Sequence, residues 1–580
     1  MAIRLIDTKT LSMSSFVGSS VPDYAILSHT WGADSEEITF QDMIALNRGF
    51  EHPKNASSGY CKVIETCQKA RAAGIGYCWV DTCCIDKTSS SELSEAINSM
   101  YNWYHDAAIC YVLLSDFDVG SLVDEETLGD CRWFTRGWCL QELVAPRCVI
   151  FYDRLWNAIG TKESLAPSIS TITMIKTKVL TGRVPIESLP IAQRLSWAAN
   201  RETTRKEDIA YCLLGICDIH MPILYGEGSR AFIRLQEEII KRSNDLSIFA
   251  ARQPDTSEEP DPLQRFRDLL APSPKHFTHC ADVYYASNDT YQSSAYAMTN
   301  RGLHFPEAYV HCDYDHGVYR IDLNYNADEE RSVGQLVFQQ VGPNLFARCH
   351  DQLLVKGVDV PFVLNILKDI YVISNIRPSL QAHLSIAGKY AIKVPSRWLQ
   401  DPGKQVLEVL ERPLFRGRWD IAGMRFLTKG LHYFEATMKF RPRRALKALD
   451  ETKYYSQIKN TSCYLILGVR SPVSGSAPSP WVHLVDETTW QLLQDHDDKK
   501  STFSLAAMLN ITTWGTQATR ARLHLGARKK NHVYLDASIT VDAQQRRINL
   551  ELDLNFEGEQ CCSHREKVKI RSWKRMWRYS

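Results

Sequence analysis

"YAILSHTWG", residues 24–32, joins an unbroken apolar run to a polar end. The apolar part lacks the alternation of a half-solvated strand. It therefore reads as a strand covered on both faces, as in a parallel sheet between helices. Three more runs of strand length repeat the pattern: "YCWVD" (77–81), "ICYVLL" (109–114) and "CVIFY" (148–152). Between them the period becomes helical. "CKVIETCQKARAAG" sets Val63, Cys67, Ala70 and Gly74 on one stripe, and "SELSEAINSMYNWYHDA" does so with Leu93, Ile97, Met100 and Tyr104. The order β-α-β-α-β-α-β predicts a doubly wound α/β domain over residues 1–160.

Residues 161–250 read as a helical extension. "TTRKEDIAYCLLGI" offers Thr204 as N-cap and Glu207 as its capping-box partner, ahead of Ile209 and Leu213. "GSRAFIRLQEEIIKRS" puts Phe232, Leu235 and Ile239 on one face and spaces Glu237 and Lys241 as an i,i+4 pair. The Pro-rich, acidic "RQPDTSEEPDP" (252–262) marks a linker over 251–262. Beyond it the period drops to two. "VYRIDLNY" alternates Tyr319, Ile321, Leu323 and Tyr325, and "INLELDLNF" alternates Ile548, Leu550, Leu552, Leu554 and Phe556. Strands with one wet face predict a mostly antiparallel β domain over 263–580. The tail "REKVKIRSWKRMWRYS" reads as an edge strand with a Lys/Arg face, with an anionic partner as the second reading.

The 580 residues exceed what one core serves, which agrees with several domains. A net charge of +1 gives no reason to expect nucleic acid. The seventeen cysteines contain no Cys-x-x-Cys pair, and neither Cys83-Cys84 nor Cys561-Cys562 has metal-ligand spacing. They are expected to be buried small hydrophobes, with no metal bound. "MAIRLIDTKTLSMSSF" carries Asp7 and lacks an apolar signal core, and no apolar run reaches 18 residues. A cytoplasmic protein without a membrane span is expected.

Ligands of open α/β sheets bind beyond the carboxyl ends of the strands. Here those ends carry Ser28-His29-Thr30-Trp31-Gly32, Asp81, Ser115-Asp116 and Asp153. "YGEGSRAF" lacks the Lys and the spacing of a P-loop. In "TRGWCLQELVAPRCVIFYD" (135–153), Cys139, Leu140, Leu143 and Val144 form one apolar arc of a helix. Trp138 and Glu142 fall on the opposite side, about 40° apart. Spacing alone leaves two readings of Glu142, a solvated carboxylate or a reactive one beside Trp138. His29 is open between a ligand contact and a structural role. Asp81 is open between holding a ribose hydroxyl and capping the turn "TCCIDKTSSS". Cys83 or Cys84 with His29 has the composition of a thiol hydrolase, but nothing marks an activated thiolate.

"YAILSHTWG", "GIGYCWVDTCCIDK" and "FTRGWCLQELVAP" resemble the three sequence blocks of the HET domain, the fungal heterokaryon-incompatibility module. "IRLIDTKTL" and "SWAANRETTRKEDIAYCLLGICDIHMPILYGEGSRAFIRLQEEI" are similar to what surrounds that domain, so the resemblance covers roughly residues 1–250. "MTNRGLHF" extends it slightly further. It implies an effector of non-self recognition and programmed cell death. The same blocks resemble, more distantly, the TIR domain, which implies a TIR/flavodoxin-like parallel sheet. The segment "RGWCLQELVAPRCVIFYD" is similar to the TIR "WCLxEL" helix and following strand. That likeness puts the catalytic carboxylate of an NAD glycohydrolase on Glu142. It puts Trp138 beside the substrate, NAD or a related nucleotide with no cofactor, and the strand-end residues Ser28, His29, Trp31, Gly32, Asp81 and Ser115 are the further substrate contacts expected. Two departures stand out. The TIR "RGxD" is replaced by "HTWGAD", followed by an insertion to about residue 58, and "DVGSLVDEETLGD" lengthens the loop before the Glu142 helix. The alternative is a non-enzymatic scaffold that self-associates through the HET domain and answers to an unknown protein trigger.

Overall fold

The structure, a computed structural model, describes residues 2–48, 57–118, 120, 123–252, 266–285, 295–313, 318–327, 332–342, 344–349, 364–377 and 380, and then ten strands and one helix between Ile392 and Glu557. The first sheet has seven strands: β1 (Ala2–Asp7), β2 (Met13–Val17), β3 (Tyr24–His29), β4 (Tyr77–Trp79), β5 (Ile109–Leu113), β6 (Val149–Tyr152) and β7 (Ala158–Thr161). Their order is β2-β1-β4-β3-β5-β6-β7. The four strands expected from apolar runs lie at the centre, and each pairs parallel with its neighbour. Every residue of β3 is buried, as a run without alternation requires. The edges depart from a purely parallel sheet. β1 pairs antiparallel with β4 and β2, and β7 pairs antiparallel with β6.

The connecting helices are α1 (Phe40–Asn47), α2 (Ser58–Ala72), α3 (Asp81–Cys84), α4 (Ser90–Asp106), α5 (Glu125–Gly129), α6 (Arg132–Thr135) and α7 (Cys139–Val144). In α2, the Ser57 side chain accepts the Tyr60 N–H, and Val63, Cys67 and Ala70 face inward. Gly74 closes the stripe from outside the helix, at φ +77°, where a glycine carries no Cβ penalty. In α4, Ile97, Met100 and Tyr104 are buried and Leu93 packs beside them. Gly59 lets α2 approach the chain at Glu36–Glu37. A Cβ there would stand 2.5 Å from the Glu36 carbonyl oxygen.

The helical stretch holds α8 (Ala166–Thr173), α9 (Thr177–Leu180), α10 (Ile191–Ser196), α11 (Asp208–Tyr211) and α12 (Arg230–Arg242). The Thr204–Glu207 capping box does not form. Glu207 is itself the residue before α11, and its carboxylate accepts the N–H groups of Gly226 and Gly228 at 2.8 and 3.0 Å. Two loop N–H groups pointing at the carboxylate hold it away from the N-cap position three residues back. On α12 the buried face is Phe232, Leu235 and Ile239, as the period requires. Lys241 pairs with Glu238 at 2.6 Å rather than with Glu237, since residues three apart are equally adjacent on a helix.

The later region is β-rich. β8 (Tyr284–Tyr285), β9 (Ala297–Thr299), β10 (Gly302–Asp313), β11 (Val318–Ala327), β12 (Ser332–Gly342), β13 (Leu345–Arg348) and β14 (Leu364–Val372) form one sheet. β10 pairs with both β14 and β11, so β10–β14 make a closed circuit. Tyr319, Ile321, Leu323 and Tyr325 of β11 are buried, as alternation predicts. The face expected to be wet is not wholly so. Val318 and Arg320 are also buried, because Phe266, Val337 and Val341 build a second small core on that side. "INLELDLNF" lies in strand Arg547–Glu557, antiparallel to Asn531–Asp542.

Contacts cross residues 253–265. Gln193 Nε2 donates to the Ala281 carbonyl, Gln236 Nε2 to that of Ala271, and Tyr285 Oη to Asp245. One core cluster runs from Ile3 to Val372. Residues 253–262 of the expected linker and the basic tail lie outside the described residues. No helix among the described residues is long and apolar enough to cross a membrane.

Candidate functional site

Side chains alternate along a strand, so successive residues of Ser28-His29-Thr30-Trp31 leave β3 in opposite directions. Ser28 meets Glu142 of α7, and the Thr30 hydroxyl lies 3.3 Å from that of exposed Ser115. His29 and Trp31 instead turn toward Asp81 of α3. The expected residues thus assemble as two clusters that share one strand end.

The first cluster centres on Glu142. Its carboxyl accepts the Ser28 hydroxyl, and Trp133 Nε1 donates to the same Ser28 oxygen at 2.8 Å. Glu142 is 7% exposed, and Ser28 and Trp133 are fully enclosed. The solvated reading of Glu142 is therefore corrected. A wheel shows which side of α7 is apolar, but this short helix packs against β3, α4, α6 and α9 and has no wet side at Glu142. Burial pushes the Glu142 carboxyl up to about 8. The Ser28 and Cys139 hydrogen bonds and the Arg201 charge oppose that rise, and the Asp81 charge adds to it. Near neutral pH the group is mostly protonated.

Trp138 does not join this contact. It is half-buried, and its indole hydrogen-bonds Asp208 in the helical stretch. Trp133, five residues earlier, supplies the aromatic donor at Ser28. The α7 helix is clamped at both ends. Gly137 donates to the Glu202 carbonyl at 2.8 Å, and a Cβ on it would lie 2.5 Å from Thr203. Lys162 donates to the carbonyls of Leu143 and Pro146, and burial lowers its ammonium to about 8. A cation at the last carbonyls of a helix complements their partial charge. Arg201, also buried, donates to the Arg136 carbonyl at 2.8 Å.

The second cluster is ionic. Lys62 of α2 donates to Glu37 at 2.6 Å and to the Thr30 carbonyl at 3.3 Å. The Gly32 N–H donates to Glu37 at 2.8 Å. Burial would raise the Glu37 carboxyl, but His29, Gly32 and Lys62 outweigh it and hold the group at about 2. Trp31 is 41% exposed, donates its indole N–H to Asp81 at 2.8 Å, and carries the Lys87 ammonium 3.6 Å above its ring. Cys83 and Cys84 are buried, and a neighbouring thiol and burial raise the Cys83 thiol well above its ordinary range, so it is no activated nucleophile. Twelve of the fourteen described cysteines are buried, in keeping with their reading as small hydrophobes.

Known proteins resemble this chain chiefly in the same region. Residues 24–125 match the heterokaryon incompatibility protein (HET) family, across β3, β4, β5 and α4. The chain carries a HET domain. Residues 230–318 match a domain of unknown function, DUF8212, which spans the segment 251–262. The vegetative incompatibility protein HET-E-1 of Podospora anserina is 43% identical over 244 residues. That likeness takes in 40% of this chain and only 17% of the relative's length. No solved structure matches the chain.

The HET match includes Ser28, His29, Trp31, Gly32, Asp81, Ser115, Glu37 and Lys62, but ends before Trp133, Trp138 and Glu142. Sequence reasoning missed Trp133, Glu37, Lys62, Lys162 and Arg201, since none follows a strand end or a motif spacing. One signal was available. Lys62 directly precedes Val63 of the apolar stripe, so a charge there lies at the edge of the buried face of α2.

Proposed function

We propose that the chain is an effector of fungal heterokaryon incompatibility that triggers programmed cell death, and that its HET domain cleaves the N-glycosidic bond of NAD. The HET match and the incompatibility relative support the biological role. Among the parallel strands, β4-β3-β5-β6 is the 2-1-3-4 order of flavodoxin-like sheets, which supports the TIR/flavodoxin-like reading. The single observation that carries the chemistry is the enclosed Ser28–Glu142 contact at the strand ends.

Nicotinamide departs from a cationic pyridinium as a neutral group, so acid assistance contributes little. The developing oxocarbenium charge is stabilised by a nearby carboxylate. Glu142 is mostly neutral in the free protein, and a bound cation lowers its pKa and draws out the carboxylate where positive charge develops. In a dry site that charge acts strongly.

The test is nicotinamide release from NAD by the purified protein and by Glu142→Ala. A loss of about a hundredfold or more is expected, with kcat/KM of the wild type rising as pH approaches about 8. Release that survives the substitution rules out Glu142 as the reacting group. A second reading, a scaffold that self-associates through the HET domain under a protein trigger, is favoured by the near-complete enclosure of Glu142. It gains if concentrated or artificially oligomerised protein leaves NAD intact.

A further inference from the structure

His29 and Asp81 face each other at the end of β3 across a gap that no hydrogen bond fills. His29 is 6% exposed, and neither ring nitrogen has a hydrogen-bond partner. Nε2 stands 3.7 Å from Glu37 Oε2, and Nδ1 stands 3.9 Å from Asp81 Oδ1. Asp81 Oδ1 is likewise buried and unpaired, while Oδ2 is engaged by the Trp31 indole. Leaving a buried polar group unpaired costs stability. Two such atoms facing each other at the ligand end of a parallel sheet mark a place that a ligand completes.

The neighbours dictate what is missing. Glu37, which accepts from Lys62 and the Gly32 N–H, faces Nε2, so the neutral ring with its proton on that nitrogen presents Nδ1 as an acceptor. Asp81 Oδ1 is also an acceptor. Phosphates and carboxylates, which bring only more acceptors, do not fit. A metal ion wants a third ligand, and among the described residues no three His, Cys, Asp or Glu side chains gather to hold one. Two O–H donors on adjacent carbons do fit, one to each acceptor. We propose that His29 and Asp81 form a diol-recognition pair that takes the vicinal hydroxyls of a ribose. Trp31, fixed against Asp81 and carrying Lys87 over one face, stands beside them partly exposed. This rests on the reading above that a ribonucleotide occupies the strand ends, but not on Glu142 being the reacting group.

The experiment is calorimetric titration of the full chain with ADP-ribose and with its analogue lacking the 2′-hydroxyl of the terminal ribose, which needs no variant to fold. The analogue should bind about tenfold more weakly. Asp81→Asn must keep its oxygen on the Trp31 indole and so turns an amide donor toward the diol. His29→Phe removes the other acceptor. Each variant should weaken ADP-ribose by about tenfold and erase the preference over the analogue. Equal affinity of the two ligands for the wild type, no binding of either, or a preference that survives in both variants overturns the pair. Nicotinamide release from NAD is followed in parallel. Release with no diol preference overturns the pair and leaves NAD cleavage standing. Pair-dependent ADP-ribose binding without release upholds the pair and rules out NAD cleavage.

Discussion

Glu37 and Glu142 are equally buried, at 6% and 7% exposure, and lie within a few residues' reach of the same strand end. One carboxyl is held at about 2 and the other is pushed up to about 8. Burial raises both, so burial does not separate them. The difference lies in what faces each oxygen. Glu37 accepts from an ammonium and a backbone N–H and has the His29 ring 3.7 Å away, whereas Glu142 accepts a hydroxyl and a thiol and feels Asp81 as a like charge. A carboxyl that holds an ammonium and a backbone N–H is a fixed charge that ties the insertion after β3 to α2. A carboxyl with only neutral donors is a held proton, ready to ionise when positive charge arrives.

The largest effect should follow from turning Glu37 into a carboxyl like Glu142. Lys62→Met removes the ammonium and leaves a buried carboxylate without its lysine counter-charge, a change that costs about 3–5 kcal/mol. Thermal melting of the variant should show a transition lowered by roughly 10 °C. The double variant Lys62→Met, Glu37→Gln should recover most of the loss, because a neutral amide needs no counter-charge. A single variant that melts like the wild type means that Lys62 is not what holds Glu37.

A smaller effect, of opposite sign, is expected at the other carboxyl. The folded pKa of Glu142 lies above the unfolded value of 4.5, so folding favours the protonated form. Its contribution is fully present below about pH 4.5 and is lost as pH rises through about 8. Glu142→Gln removes that dependence and should stabilise the protein by about 3 kcal/mol near pH 7, with no gain near pH 4. Denaturant melts of both proteins from pH 4 to 9 read this directly. Parallel curves for the two would mean that Glu142 is ionised in the folded state.

The central strands were legible because burial on both faces leaves an unbroken apolar signature, and the stripes of α2 and α4 were legible from their period. The edge strands β1 and β2 carry no such run, and "IRLIDTKTL" drew attention only as a flank. At the site, polar residues after strands were visible as candidates, but their division into two clusters was not. It comes from the alternation of Ser28 and His29 about the strand. The burial of Glu142 was hidden for another reason. A wheel describes one helix, whereas the cover over its polar side comes from β3, α4 and α9, far away in sequence. Lys162 and Arg201 reach backbone carbonyls, and no spacing in the sequence announces a contact to a carbonyl.

The smallest expected effect tests whether one hydroxyl accounts for what restraint Glu142 has. Ser28 donates to the carboxyl and lowers its pKa against the larger push of burial. Ser28→Ala should therefore move the Glu142 titration upward from about 8 by about one pH unit, the shift worth about 1.4 kcal/mol between protonation states. It also leaves Trp133 Nε1 without its acceptor, at a cost of about 1–2 kcal/mol at every pH. The two effects separate by their pH dependence. The indole term is flat, and the carboxyl term shows as a later loss of stability on the alkaline side. A Ser28→Ala curve displaced downward with its alkaline midpoint unmoved would leave the hydroxyl as a partner of Trp133 alone. In that case the Cys139 thiol and then Arg201, the other influences that lower Glu142, become the groups that keep its proton within reach of neutral pH.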